Sequence, residues 1–158
     1  MELRIRTATI DDLPAIFHLG ERLFTARDHA NLYRSWDEYE VTNLFTVETD
    51  RMIVAEADGE IVGFAMGSVF EKARSAWNYG HLLWLGVDPD HAGQGIASRL
   101  VDEFEERMRA AGVRILLVDT QADNDEALAL FRKKGFDNPI DHVYLALNLE
   151  TRERNGDE

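Results

Sequence analysis

The sequence predicts an α/β fold in a single domain, and three patterns support this prediction. Several short segments alternate apolar and polar residues, as half-buried strands do. Longer segments repeat apolar residues at the spacing of one helix face. A strand, a helix and a second strand follow one another over residues 81–119, and such a crossover places its two strands in parallel.

Composition limits the function classes. The chain has 158 residues, of which 45% are hydrophobic, and this is enough for one domain with a core. Its net charge of -13 repels nucleic-acid phosphates and anionic lipid headgroups. No apolar run reaches the ~20 residues of a membrane span, and no cysteine is present for disulfides or thiolate sites. We therefore expect a soluble, cytoplasmic protein with no metal, nucleic-acid or membrane partner.

The first elements are predicted from a strand pattern and two helix start signals. Leu3–Thr7 alternates as a strand. Thr9–Asp12 has the spacing of a capping box, so a helix should begin there. Ser35 followed by Glu38 repeats this signal and predicts a short second helix over about 36–45.

A hairpin and a crossover occupy the middle of the chain. The dipeptide Asp58-Gly59 separates Met52–Ala55 from Ile61–Ala65, and it favours a tight turn between two antiparallel strands. The crossover consists of a buried strand, a helix and a second strand, over His81–Val87, Gly95–Ala111 and Arg114–Asp119.

The last part of the chain predicts one more helix and one more strand. Asn124–Lys134 has a helical apolar face, and Gly135 stands where a left-handed helix end is favoured. His142–Leu149 alternates as a last strand. Thr151–Glu158 is polar throughout apart from one glycine, so we expect a disordered acidic tail after a domain over 1–150.

The glycine-rich turn between Val87 and Ser98 is the strongest sign of chemistry. Gly93 and Gly95 precede a helix whose first amides have no partners within the helix, which suits a phosphate or pyrophosphate. The alternative is a tight loop without a ligand. The dinucleotide-binding fingerprint requires a third glycine where Ser98 stands, and the Gly-Lys-Ser/Thr of nucleotide hydrolases is absent.

At this turn the chain resembles the GNAT acetyltransferase superfamily. The family signature is Arg or Gln, two residues, Gly, one residue, then Gly or Ala, and Ala92-Gly93-Gln94-Gly95-Ile96-Ala97 matches all but its first position. Asn124, Ala127, Leu130-Phe131 and Gly135-Phe136 are similar to the family's second landmark. The resemblance implies a mixed, mostly antiparallel sheet of six or seven strands, flanked by about four helices, with a bulged and splayed central strand.

The resemblance also implies that acetyl-coenzyme A binds at this splay as a co-substrate. Backbone groups of Leu85 and Val87 would meet the pantetheine arm or the acyl carbonyl. Asn124 would contact the pantetheine arm, and Phe131 would lie near the thioester sulfur. The pyrophosphate would bind the turn residues Gly93, Gln94, Gly95, Ala97 and Ser98.

Two positions depart from the family pattern. Ala92 replaces the Arg or Gln that braces the turn, but the backbone amides that carry most of the phosphate binding are retained. Phe131 replaces the tyrosine that protonates the leaving thiolate in many members. Since thiols ionise at about pH 8 to 9, this loss should slow the reaction rather than prevent it.

Three residues are candidates for proton transfer, because most alkylamines are protonated at neutral pH and must lose a proton to attack. His81 lies six residues before Val87, where several family members have a base, although it could instead pack at the start of its strand. Asp119 ends the adjacent strand and is either a second base candidate or a loop cap. Tyr144 is a substitute thiolate donor or a core residue.

Aromatic and acidic residues predict an acceptor wall for a cationic amine, carried by a small molecule or a protein. The alternative is that the aromatic residues are core and the acidic ones are solvated. The family habit also makes a homodimer an open prediction. The predicted wall consists of Tyr33, Trp36, Glu71, Trp77 and Tyr79.

The sequence therefore predicts an N-acetyltransferase that moves an acetyl group to a primary amine by direct transfer in a ternary complex. The main alternative is a non-catalytic module that binds or senses acetyl-coenzyme A, suggested by Ala92 and Phe131. A more distant one is a nucleotide-binding regulator that prefers NAD or ATP.

Overall fold

A computed structural model describes residues 1–24, 35–71, 78–143, 145 and 147–150. Within these ranges the chain forms five strands and four α-helices. Short 3-10 turns at Ile10–Asp12, Thr49–Arg51 and Pro89–His91 connect some of them. In chain order the elements are β1 (Leu3–Thr7), α1 (Leu13–Leu23), α2 (Glu38–Val47), β2 (Met52–Ala57), β3 (Glu60–Glu71), β4 (Asn78–Val87), α3 (Ile96–Ala110), β5 (Val113–Val118) and α4 (Asp125–Lys133).

The strands form one sheet in the order β1-β2-β3-β4-β5. The first four strands are antiparallel to their neighbours, and β4 and β5 are parallel. This confirms the predicted α/β class, the mostly antiparallel sheet and the parallel crossover through α3.

Two apolar clusters fill the space between the sheet and the helices on its two faces. On one face, Leu100 and Phe104 of α3 are fully buried in the first cluster. On the other face, Ile16 and Leu19 of α1 are buried in the second cluster. Met52–Ala55 of β2 is therefore buried without a break, because both faces of the sheet are covered.

The hairpin between β2 and β3 confirms its sequence signal. Asp58 and Gly59 adopt φ values of 50° and 86°, the left-handed conformation that a tight hairpin turn requires. The Asp58 carboxylate also accepts a hydrogen bond from the backbone N–H of Glu2 at 3.1 Å. The turn thus fixes the register of the two strands and helps to hold the start of the chain.

The predicted capping box precedes α1 as expected. Asp12 is 8% exposed, and its Oδ2 accepts from the Thr9 backbone N–H at 2.7 Å. The Arg6 guanidinium donates to both Asp12 oxygens, at 2.6 and 2.9 Å, and to Glu56 at 2.9 Å. These hydrogen bonds hold the pKa of the Asp12 carboxyl below its usual range, with the contact to Arg6 as the largest cause.

The predicted start of α2 is wrong by two residues. Asp37 caps this helix by accepting from the Glu40 N–H at 2.8 Å, and the helix begins at Glu38. Trp36 instead packs against the second apolar cluster, and its indole N–H donates to the Phe17 carbonyl at 3.0 Å. Gly20 allows this packing, because a Cβ there would overlap the indole ring.

The predicted last strand is also wrong for the described residues between 137 and 150, which form no strand. Val143, Leu145, Leu147 and Leu149 are between 61% and 86% exposed. Alternation is a property of the segment alone, whereas a strand needs a neighbour to pair with. The sheet therefore has five strands in the described part of the chain instead of six or seven. The predicted tail, 151–158, lies outside that part.

Within the described ranges, no helix is long and apolar enough to cross a membrane. The same ranges contain no group of three or more His, Asp or Glu side chains that could hold a metal ion.

Replacing Asp12 with asparagine is expected to lower the free energy of unfolding by about 1 to 3 kcal/mol, because the half-buried guanidinium of Arg6 loses one of its two charged partners. The neighbouring Asp11 is exposed, so Asp11→Asn removes the same charge without this contact and serves as the control. Chemical denaturation at pH 7 measures both changes. Equal effects of the two substitutions would contradict the role of the Arg6–Asp12 pair.

The same pair predicts a pH dependence. Because the pKa of Asp12 is lowered in the folded state, its contribution to stability is present above the ordinary carboxyl range and is lost as pH falls through the lowered value. The difference in stability between the natural protein and Asp12→Asn should therefore shrink in acid. A difference that stays constant down to acid unfolding would contradict this linkage.

Candidate active site

The parallel pairing between β4 and β5 ends halfway along β4. It runs from Asn78 opposite Val113 to Leu82 opposite Val118, whereas β4 continues to Val87. Beyond Leu82 the two strands separate, and we call this gap the splay. The predicted splayed strand pair is thus present in the sheet.

A bulge in β4 lies at the start of the splay. The register with β3 shifts between Met66 and Gly67, which pair with Trp84 and Leu82, so that Leu83 is the extra residue. Gly67 lies against the His81 carbonyl and the Phe104 ring, and a Cβ at this position would overlap both. Glycine is therefore required where β3 passes the bulge.

The backbone groups of Leu85 and Val87 face the splay. The Asp88 N–H donates to the Val62 carbonyl at 2.8 Å, so Asp88 is a hydrogen-bonded position in the ladder with β3. In an antiparallel ladder, hydrogen-bonded and non-hydrogen-bonded positions alternate along the strand. The backbone N–H and C=O of Gly86 therefore face β3, whereas those of Leu85 and Val87 face away from β3. β4 therefore presents an open edge at Leu85 and Val87.

The turn after β4 is held by its own backbone and by Asp88. The Asp88 carboxylate accepts from the Asp90 N–H at 3.0 Å, and the Asp88 backbone carbonyl accepts from the His91 N–H at 2.9 Å. Gly93 and Gly95 have φ values of 76° and 75°, and nothing lies within 4 Å of the place where their Cβ would be. Glycine is needed here for its conformation and leaves open space beside the chain.

The amides at the start of α3 directly follow the two glycines of this turn. Gly95 is the N-cap of α3, and no side chain caps the helix. Within the described ranges, no backbone amide of 93–98 donates a hydrogen bond. Unpartnered amides at a helix N-terminus favour an anion. The turn therefore offers a site that a phosphate or pyrophosphate would fit.

His81 and Asp119, which the sequence indicated separately, are in contact. The Nε2 atom of His81 lies 2.7 Å from Oδ1 of Asp119. Their side chains are 25% and 36% exposed. The contact forms because Asp119 directly follows the last paired residue of β5, Val118, which stands opposite Leu82.

Burial raises the pKa of the Asp119 carboxyl above its usual range. A backbone hydrogen bond and the charge of His142 oppose this rise. Asp119 is therefore a partly desolvated carboxyl that contacts His81 and is influenced by the charge of His142.

The surface around His81 lies on the sheet face that α1 and α2 cover. Its neighbours across the strands are Ser68 on β3 and Leu117 on β5. Tyr79, two residues earlier on the same face, stacks on Phe70 with 5.6 Å between ring centroids and 12° between ring planes. His81 thus stands between an aromatic pair and the carboxyl of Asp119.

Only part of the predicted acceptor wall lies on this surface. Tyr79 lies beside His81, but Glu71 pairs with Asn78 in the next register position and so belongs to the opposite face. Trp36 stacks on Phe64 at 5.4 Å in the core, which supports the packing alternative for this residue. Tyr33, Trp77 and Tyr144 lie outside the described residues.

The two predicted cofactor contacts on α4 also have structural roles. Asn124 is the N-cap of α4, and its side-chain oxygen accepts from the Ala127 N–H at 3.1 Å. Phe131 is 7% exposed and packs edge-on against Phe136. It belongs to the same apolar cluster as Leu85 and Val87, on the face that α3 covers.

Phe70, Ser68 and Leu117 were not among the residues that the sequence indicated. An apolar and small-residue run continues from Ile61–Ala65 to Phe70, and this signal could have extended β3 to the aromatic pair. No sequence pattern indicates Ser68 or Leu117, because they reach His81 only through strand register.

The relatives of this chain define it as an acyltransferase. The chain belongs to the acetyltransferase (GNAT) family, since the model of that family matches residues 13–136. It is 31% identical over 154 residues to Acetyltransferase ECA0875 of Pectobacterium atrosepticum, covering 96% of this chain and 99% of that one.

Solved structures share the fold. An acetyltransferase of Trypanosoma brucei superposes with a TM-score of 0.71 at 23% identity, over 92% of this chain and 100% of the other. AAC(6')-Iy, in complex with the bisubstrate analog CoA-S-monomethyl-acetylneamine, superposes with a TM-score of 0.71 at 18% identity. The alignment with AAC(6')-Iy covers 94% of this chain and 99% of that one.

The close approach at Gly67 predicts the effect of adding one methyl group there. Gly67→Ala should lower the free energy of unfolding by about 1 to 3 kcal/mol or more and shift the NMR signals of the His81 imidazole, because β3 and β4 must move apart at the bulge. Gly63→Ala, on the same strand, is the control, since its Cβ would meet neighbours at 3.1 to 3.3 Å. A smaller effect at Gly67 than at Gly63 would contradict the described packing.

Proposed function

We propose that the protein is an N-acetyltransferase that moves an acetyl group from acetyl-coenzyme A to a primary amine, by direct transfer in a ternary complex. The observation that carries the proposal is the open edge of β4, which lies between the glycine turn on one side and the His81–Asp119 pair on the other. One end of this arrangement suits a cofactor, and the other suits proton transfer.

The open edge and the turn fit the two ends of a coenzyme A chain. The pantetheine arm would add to β4 as a strand does, through the backbone of Leu85 and Val87. The pyrophosphate would bind the unpartnered amides at Gly93, Gln94, Gly95, Ala97 and Ser98. Ala92 removes one side chain from this site but no amide. The coenzyme A moiety bound to the related AAC(6')-Iy supports this assignment.

Contacts from α4 complete the proposed cofactor site. The cap of α4 uses the oxygen of the Asn124 side chain and not its NH2 group, which would donate to the pantetheine arm. Phe131 would contribute an apolar surface near the thioester, since it shares a cluster with Leu85.

His81 would act as the base. A primary amine attacks only with its lone pair, so it must reach the thioester without its extra proton or lose a proton as the C–N bond forms. The imidazole accepts that proton while the C–S bond breaks, and coenzyme A leaves as a thiolate. The N–H groups on the open edge of β4 would stabilise the negative charge that develops on the acyl oxygen. Tyr144 stays a prediction as the donor to the thiolate.

The surface around His81 favours a cationic acceptor. The stacked rings of Phe70 and Tyr79 offer a π face beside the base, and Asp119 adds negative charge. The net charge of -13 attracts cations over a longer range. We therefore infer an amine with a second cationic or apolar group next to the reacting nitrogen. A cytoplasmic location and a homodimer remain predictions.

Thermal unfolding with acetyl-coenzyme A, coenzyme A, NAD or ATP tests the cofactor site. A ligand at 100 times its dissociation constant adds about 2.7 kcal/mol of stability. We expect stabilisation by the two coenzyme A species and its loss in Gly95→Leu, whose side chain would fill the space at the amides. Gly135→Leu is the control, because Gly135 also has a positive φ, 96°, but lies at the end of α4.

Two outcomes would overturn the cofactor assignment. Stabilisation by NAD or ATP alone would mean that the turn binds another nucleotide. Unchanged affinity for coenzyme A in Gly95→Leu would mean that the cofactor binds elsewhere.

Replacing His81 with glutamine should lower kcat by about 100-fold and remove a near-neutral limb from the pH–rate profile, with little change in cofactor affinity. The assay is acceptor-dependent release of the coenzyme A thiol with a panel of amines. His18→Gln is the control, because His18 is 70% exposed on α1. An unaltered pH profile would exclude His81 as the base, and tight cofactor binding without turnover of any amine would favour a sensing module.

A further inference from the structure

We propose that Asp119 is a positioning residue that holds the Nε2–H of His81, which leaves Nδ1 as the atom that takes the proton from the acceptor amine. This inference rests on the proposed role of His81 as the base. In this arrangement Nε2 carries the hydrogen, Nδ1 accepts the proton and the carboxylate holds the ring in place.

The contact itself dictates the tautomer. An ionised carboxylate only accepts hydrogen bonds, so the 2.7 Å distance between Oδ1 and Nε2 requires a hydrogen on Nε2. A neutral imidazole carries one N–H, so its lone pair for accepting a proton is then on Nδ1. Without the carboxylate both tautomers are accessible. A fraction of the molecules then carries the hydrogen on Nδ1, the nitrogen that must accept the proton.

Partial burial makes the carboxylate more effective. His81 and Asp119 are 25% and 36% exposed, so water screens their attraction less than at the surface. The burial that raises the pKa of Asp119 reflects a carboxylate with incomplete hydration. A positive neighbour stabilises such a carboxylate more strongly than a fully hydrated one. The carboxylate in turn stabilises the imidazolium that forms when His81 accepts a proton.

Among the described residues, other titratable groups lie on the elements around His81. The charge of His142, from the C-terminal segment, lowers the pKa of Asp119, and Tyr79 lies on β4 and stacks on Phe70. On the side of α2, the Glu40 carboxylate accepts from the Trp84 indole at 3.0 Å. Glu48 is paired with Arg51 and accepts from the Val69 N–H. Asp119 is thus the carboxylate that the structure places on the imidazole.

The position of Asp119 follows from the splay. β5 is paired with β4 up to Val118, and the next residue is the first that leaves the sheet. A side chain at this point reaches across to the neighbouring strand one position before the edge opens. The proton would pass from the amine nitrogen to Nδ1, the C–N bond would form, and the C–S bond would break, while Asp119 keeps its charge.

Nitrogen-15 NMR of the imidazole tests the tautomer without any turnover. In the natural protein, His81 should show the Nε2–H form once it is neutral. In Asp119→Asn, whose amide can donate as well as accept, the signals should move toward the Nδ1–H form or a mixture. Asp123→Asn is the matched control, because it removes the same charge from an exposed position in the same connection. The same tautomer in all three proteins would overturn the proposal.

Kinetics supply the second test. Asp119→Asn should lower kcat by about 10- to 100-fold at the optimum, with little change in the KM for acetyl-coenzyme A. The limb of the pH profile that belongs to His81 should move to lower pH, since a carboxylate next to an imidazole favours its protonated form. Asp123→Asn should leave both unchanged.

The outcomes separate this proposal from the proposed function. A pH limb that stays in place in Asp119→Asn, in a protein that turns over amines through His81, overturns the positioning role alone. Absence of turnover in the natural protein overturns the proposed function, and the tautomer is then still decided by NMR.

Discussion

The arrangement of the site depends on the early end of the pairing between β4 and β5, at Leu82 and Val118. Beyond this point the polar groups of Leu85 and Val87 have no paired strand within the described part of the chain, although such groups rarely remain without partners away from water. The same early end places Asp119 next to His81. One constraint on strand pairing thus creates both the proposed cofactor edge and the carboxylate beside His81, the proposed base.

The rest of the fold keeps β4 in place. Gly67 lets β3 approach the bulge closely, while α3 packs across the sheet face under the glycine turn. On the other face, Trp84 is fixed by Glu40 and by the ring of Trp36 at 5.0 Å. Among the described elements, the strand that carries the site is therefore held from both faces and by β3, and its edge toward β5 is open beyond Leu82. Rigid support of this kind positions a base more accurately than a loop would.

Local signals in the sequence predicted most of the elements, whereas contacts that depend on strand register could not be predicted. The Asp58-Gly59 hairpin, the capping box at Asp12 and the helix end at Gly135 each follow from a few neighbouring residues, and all three are present. His81 and Asp119 were both candidates, but their contact depends on which residues of two distant segments stand opposite each other. For the same reason the alternation of 142–149 indicated a strand that does not form in the described residues, because alternation does not specify a pairing partner.

The most direct test of the splay is amide hydrogen exchange, followed by NMR, with and without acetyl-coenzyme A. We predict fast exchange at Leu85 and Val87 in the free protein and strong protection when the cofactor is bound, because the pantetheine arm would pair with their backbone groups. Gly86 and Asp88, which face β3, should be protected in both states. Unchanged exchange at Leu85 and Val87 in a protein saturated with acetyl-coenzyme A would contradict the assignment of the splay as the cofactor site.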